Sequence, residues 1–251
     1  MHFPSLKNDV SPQEWKLRCD LAACYRLVAM HGWTDLVFTH ISARIPGTDD
    51  HFLINPYGVL FGDVTASSLI RVDAVGNKMS PSDFPVNKAG FIIHSALHQA
   101  RPDVVCVLHT HTRAGVAVSA QRCGLLPISQ QASVILPSLA IHEYDGIVVE
   151  DEERPRLQAS LGDAMFLMLQ NHGLLTVGAS IADAFFNMYL FETSCQIQLA
   201  AQGGGALIHI GTDAVRKNAE AARQQTGSVG GMFLWPALLR EVEKAHPDHQ
   251  T

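Results

Sequence analysis

Residues 104–108, an uninterrupted apolar run, lead directly into His109-Thr110-His111. Five apolar residues in a row, bounded by Arg101-Pro102 on one side and polar residues on the other, read as a strand buried in a core. Side chains alternate along a strand, so Val105, Val107, His109 and His111 share one face while Val104, Cys106 and Leu108 share the other. The two imidazoles then project side by side, with backbones about 6–7 Å apart. That spacing suits chelation of one metal ion. It equally suits two histidines that hydrogen-bond at a strand end, and spacing alone does not choose.

Around this strand the chain alternates helices and strands. Ser11, Pro12 and Glu14 form a capping box and Gly32 a stop, so residues 11–32 read as a helix. At its end His31 reads as a cation near a helix C-terminus. Residues 36–46 and 51–56 read as a hairpin across Gly47-Thr48-Asp49-Asp50. A second helix over 87–100 stops before Pro102, because the residue preceding a proline is biased out of the helical region. Within it, His94 and His98 lie four apart, with His98 expected to be exposed.

A short helix is expected over 113–122, strands over 133–137 and 146–150, and a polar helix over 151–163. A strand, a turn at Asn171-His172-Gly173 and another strand follow over 164–178. A long helix should run from a Ser180 cap to Gly203-Gly204-Gly205, its apolar Ala184, Phe185, Met188, Phe191 and Cys195 forming a core-facing stripe. The Gly/Ala/Gln-rich tail over 204–230 reads as partly mobile, with a last helix over 232–245. His172 stands beside a glycine that permits a tight turn or close approach, and reads either as a turn residue or as a third ligand.

A length of 251 residues fits a single domain spanning 1–251. The hydrophobic fraction of 47 % against 17 % charged is globular composition. A net charge of −6 without a Lys/Arg-rich run argues against nucleic acid as a partner. No charged-then-apolar leader and no apolar run near 18 residues is present, so a cytoplasmic protein with no membrane partner is expected. The five scattered cysteines lack CxxC spacing and indicate neither a disulfide framework nor a thiolate metal site.

The segments GWTDLVFTHISAR (32–44), NPYG (55–58), HSALHQARPDVVCVLHTHT (94–112) and QNHGLLTVG (170–178), in this order, resemble the class II aldolase/adducin family. The resemblance covers residues 15–205, with 206–251 as a C-terminal tail and helix. It implies an α/β fold, a three-layer α/β/α sandwich with a central, mainly antiparallel sheet, assembled as a homo-oligomer, a tetramer, with the site near a subunit boundary. It also implies that His109, His111 and His172 hold one divalent metal ion per chain, zinc foremost, with manganese or iron as alternatives.

The family's sugar-phosphate aldolases resemble this chain less well at other positions. Their catalytic glutamate, nineteen residues before the first metal histidine, aligns with Gly90, and their acid tyrosine with Gln131. Thr39-His40 replace the small-residue phosphate turn, and Lys88-Ala89 replace paired serines. These departures imply a small, non-phosphorylated hydroxy- or oxo-acid or carbonyl substrate, with Thr39, His40, Asn55, Lys88 and Gln131 as substrate-contacting candidates. His94 and Tyr144, the latter within the polar cluster His142-Glu143-Tyr144-Asp145, are the candidates to replace the glutamate. The expected function is a metal-dependent aldolase- or decarboxylase-type lyase. The alternatives are a non-haem iron oxygenase of the same fold and an adducin-like binding module without chemistry.

Overall fold

The computed structural model describes residues 3–48, 50–146, 152–226 and 233–251. Helix α1 (Pro12–Met30) opens on the Ser11 cap, whose hydroxyl accepts from Glu14 N at 3.1 Å, with Pro12 at the first helical position. His31 ends it, and burial beside Trp33, stacked at 4.6 Å, lowers its pKa. Partial burial of the ring thus works against the cation expected at this C-cap.

Strand β1 is shorter than expected, His40–Arg44, since residues 36–38 turn at Leu36, which takes a left-handed φ of 49°. It pairs with β2 (Phe52–Ile54), and β2 with β3 (Ile70–Val72), a strand too short to announce itself in the sequence. Helix α2 (Lys88–Ala100) starts at the Asn87 cap and ends before Pro102 as expected. Strand β4 (Cys106–Thr110) carries the apolar run into the sheet, followed by α3 (Arg113–Ser119).

Residues 133–137 are not a strand. They complete helix α4 (Gln130–Ile135), nucleated by the Ser129 cap on Ala132 N, and a 3-10 turn through Pro137. Strand β5 instead covers Leu139–His142. The strand expected at 146–150 lies outside the described residues save Gly146. Helix α5 (Glu153–Leu161), strands β6 (Phe166–Leu169) and β7 (Gly173–Gly178), and helix α6 (Ile181–Gln202) follow as expected. Within the tail taken as partly mobile, Thr212–Thr226 forms helix α7. Its run of good helix formers outweighs the polar composition, and Asn218 ties it to Ser133 on α4 at 2.6 Å. Helix α8 (Trp235–Ala245) ends the fold.

The seven strands form one sheet in the order β3-β2-β1-β4-β7-β6-β5, antiparallel except for β5 beside β6. Alternation splits its two faces. Ile41, Ala43, Cys106, Leu108 and Leu174 join α1 and α6 in the larger core. Val107, Leu167, Leu175 and Val177 meet Ile93 and Leu97 of α2 and Leu157 and Leu161 of α5 in a second core on the opposite face. The result is the expected α/β/α sandwich with a mainly antiparallel centre. No helix among the described residues is long and apolar enough to cross a membrane.

Candidate metal centre

The C-terminal end of β4 and the start of β7 meet where the second core runs out. His109, the fourth residue of β4, pairs with Leu175 of β7 on one side and with His40 of β1 on the other. It is 1 % exposed. His111 lies just beyond the strand, its ring 4.6 Å from that of His109, as alternation requires.

His172 reaches them because the β6–β7 turn is tight. Asn171 takes a left-handed φ of 56°, a conformation asparagine tolerates. A Cβ on Gly173 would come within 2.3 Å of the Thr110 carbonyl oxygen, so only glycine lets β7 close so nearly onto β4. The ligand atoms of the three histidines all lie within 4.8 Å of one another.

The second nitrogen of each strand-end ring fixes its proton. His109 Nδ1 donates to the Leu174 carbonyl at 2.9 Å, and His111 Nδ1 donates to Asp35 Oδ2 at 2.9 Å. The Nε2 atoms of the two rings are thereby turned toward each other and stand 2.8 Å apart. His172 Nε2 lies 2.9 Å from His111 Nε2. Three ring nitrogens that converge this closely, two of them oriented by their own second nitrogens, form a donor set that fits a divalent metal held by imidazoles. The electrostatics agree. Burial first, then neighbouring imidazoles, hold His109 well below the usual histidine pKa. Burial first brings His172 down to about 4. Neutral ligands leave a bound ion its full double charge.

The other candidate residues fall in different places. His40 is 3 % exposed, with its ring 5.2 Å from His109, so it stands at the centre rather than in a phosphate turn. Gly90 lies against it: a Cβ there would be 2.3 Å from His40 Cδ2 and 2.6 Å from Nε2. The glycine and the histidine are thus one steric unit. His94 has both ring nitrogens engaged, with His40 Nδ1 at 2.7 Å and Ser42 Oγ at 2.7 Å, so it reaches the trio only through His40.

Thr39 is buried with an unpartnered hydroxyl. Asn55 accepts from the Tyr25 hydroxyl at 2.9 Å inside the core. Lys88 is exposed at the start of α2, and Gln131 is half-buried in α4. Of the polar cluster, His142 is held by Ser160 at 2.9 Å and Glu153 at 2.6 Å, and Asp145 by Arg156 at 2.7 Å. Tyr144, 53 % exposed, has no such partner among the described residues and lines a recess shared with His172.

Three participants were not anticipated. Asp35 orients His111, the kind of outer-shell partner metal-binding histidines usually have. Ser42 and His98 continue the chain from His94, and His98 is 1 % exposed rather than on the surface, covered by Phe52 stacked at 4.6 Å. Their signal was the double spacing: 40 and 42 alternate on a strand while 94 and 98 share a helix face.

Residues 19–199 match the family described as Class II Aldolase and Adducin N-terminal domain. A Pseudomonas aeruginosa protein provisionally named an aldolase class 2 protein is 54 % identical over 246 residues, covering 96 % of this chain and 94 % of that one. Rat (Rattus norvegicus) alpha-adducin is 46 % identical over 194 residues, covering 75 % of this chain but only 26 % of the adducin. The structure of L-fuculose 1-phosphate aldolase from Glaciozyma antarctica superposes with a TM-score of 0.84 at 28 % identity, covering 100 % of this chain and 96 % of that one. With a family match over most of its length and a fold and histidine trio that fit it, the chain belongs to the class II aldolase/adducin family.

Proposed function

We propose that this protein is a divalent-metal-dependent lyase of aldolase type, acting on a small, non-phosphorylated hydroxy- or oxo-acid or carbonyl compound. The observation that carries the reading is the convergence of the Nε2 atoms of His109 and His111 at 2.8 Å, with His172 Nε2 2.9 Å from His111. These three nitrogens would hold the ion, zinc foremost, with manganese or iron as alternatives. When bound, such an ion supplies Lewis-acid stabilisation of charge developing on a substrate oxygen.

The chain's own residues do the rest. Leu174 O and Asp35 keep His109 and His111 turned with Nε2 inward. His40 fills the space beside Gly90, so no side chain at 90 moves a proton there. Tyr144 would be the hydroxyl that gives or takes one, a role supported by the recess it shares with His172. A second reading, an adducin-like binding module, is favoured by the 46 % identity to alpha-adducin. Against it stands the trio, since a module without chemistry has no need of converging ring nitrogens.

The same reading assembles the chain as a homotetramer. Leu36 and Phe38, 66 % and 47 % exposed, are the apolar neighbours of Asp35 that such an interface would cover.

Elemental analysis of protein purified without added metal decides between these. About one zinc or manganese per chain, absent in a His109→Ala/His111→Ala variant, is the expected result. Iron with oxygen consumption would move the assignment to an oxygenase, and no metal at all would leave the binding module.

A further inference from the structure

Behind the trio runs an unbroken hydrogen-bonded chain. His98 Nδ1 lies 3.3 Å from the Val104 carbonyl oxygen, His98 Nε2 2.8 Å from Ser42 Oγ, Ser42 Oγ 2.7 Å from His94 Nδ1, and His94 Nε2 2.7 Å from His40 Nδ1. One end is a carbonyl, which can only accept. That fixes every proton in turn among neutral rings. His98 must carry its proton on Nδ1, leaving Nε2 bare, so the single Ser42 proton points at His98. Ser42 Oγ then accepts from His94 Nδ1–H, His94 Nε2 is bare, and His40 Nδ1–H donates to it. His40 Nε2 is left as a lone pair. It finds no partner among the described residues, and it lies on the ring edge that faces Gly90.

The geometry points to a locked acceptor: His98, Ser42 and His94 hold His40 in the tautomer that bears its proton on Nδ1, so that His40 Nε2 accepts a hydrogen bond from a hydroxyl of the ligand held at the trio and disfavours a ligand without one. Three features hold the polarity. Among the described residues, no carboxylate is a hydrogen-bond partner of the three rings. The chain borders the apolar side chains of Phe52, Ile54, Val72 and Phe91, where a misdirected proton would go unsatisfied. A cation at His98 would reverse the whole chain, but burial first, and then the Arg44 guanidinium nearby, bring the His98 pKa down to about 3. The role asked of His40 involves no change in its charge. His40 is the residue that meets the ligand, and His98, Ser42 and His94 are positioning residues that never touch it.

This deepens the proposed function and rests on it for the ligand at the trio, whereas the protons can be located without reference to any metal. Neutron diffraction from a perdeuterated crystal should place deuterium on Nδ1 of His40, His94 and His98. Deuterium on His40 Nε2 in the wild type would overturn the lock. Ser42→Ala removes the acceptor of His94 Nδ1–H, which favours the opposite tautomer of both His94 and His40. Calorimetric titration of the zinc-loaded protein with glycolate and with acetate reads the consequence. In Ser42→Ala, glycolate should weaken by about twofold to tenfold, the worth of one hydrogen bond, and acetate should not. Equal weakening of both acids, or none for glycolate, would overturn the selection. Failure of the wild type to hold zinc would overturn the proposed function instead, and the deuterium positions would still decide the lock.

Discussion

A methyl group at position 90 would sit 2.3 Å from His40 Cδ2, and His40 cannot step aside because His94 grips its Nδ1. Gly90→Ala should therefore lower stability by about 1–3 kcal/mol in a denaturant titration. In a His40→Ala background the same change should be nearly free, giving a coupling of about 0.5–3 kcal/mol. Additive effects would show that the two positions are independent. His98 offers a second residue-scale test. It faces Ser42 and Arg44 on β1, Phe52 on β2 and the Val104 carbonyl, with no anionic partner among the described residues. The unfolded chain binds a proton there near the ordinary value of 6.5, the native chain only near 3. Between those values the unfolded state holds more protons, so this group's contribution to stability is complete above pH 6.5 and is lost as pH falls toward 3. His98→Gln should flatten the acid limb of the stability profile; an unchanged slope would mean the ring titrates normally. At this scale strand alternation made the side-by-side placing of His109 and His111 legible, whereas His172 read equally as a turn residue and joined them only through the family resemblance. Asp35 was not legible, since only the folded turn at Leu36 brings its carboxylate to His111.

Among the elements, the hinge of the account is the β6–β7 turn. Gly173→Ala would drive a Cβ into the backbone oxygen of Thr110, which no side-chain rotation relieves. We expect a loss of about 2 kcal/mol or more, together with loss of metal, because β7 must withdraw from β4 and carry His172 with it. Retained metal with lowered stability would separate the turn from the site. Elements with capping boxes, long periodic stripes or continuous apolar runs were readable in the sequence: α1, α2, β4, β6, β7 and α6. Residues 133–137 were not, because a short β-branched and apolar run has no period of its own and the Ser129 cap decided for helix. Helix α7 was obscured by composition, although Ala219 is buried at 3 % exposure against its neighbours.

At the scale of the whole molecule, the sheet sets two cores of different character back to back. The face toward α1 and α6 is apolar throughout β1, with Ile41 and Ala43 fully buried. The face toward α2 is apolar at Val107 and turns polar at His40, Ser42, His94 and His98. The helix that covers the second face thus both buries it and carries half of the relay, a division that strand alternation dictates and no composition reveals. Assembly is the property the chain alone shows least. Light scattering should report a tetramer, and Phe38→Asp should reduce it to smaller species; a wild-type monomer would remove the interface. The central claim, that three imidazoles from β4 and the β6–β7 turn share one ion, is tested most directly by anomalous diffraction at the metal edges. One peak per chain is expected about 2.0–2.1 Å from the Nε2 atoms of His109, His111 and His172. A crystal grown with excess zinc that shows no peak there, or one elsewhere, would contradict it.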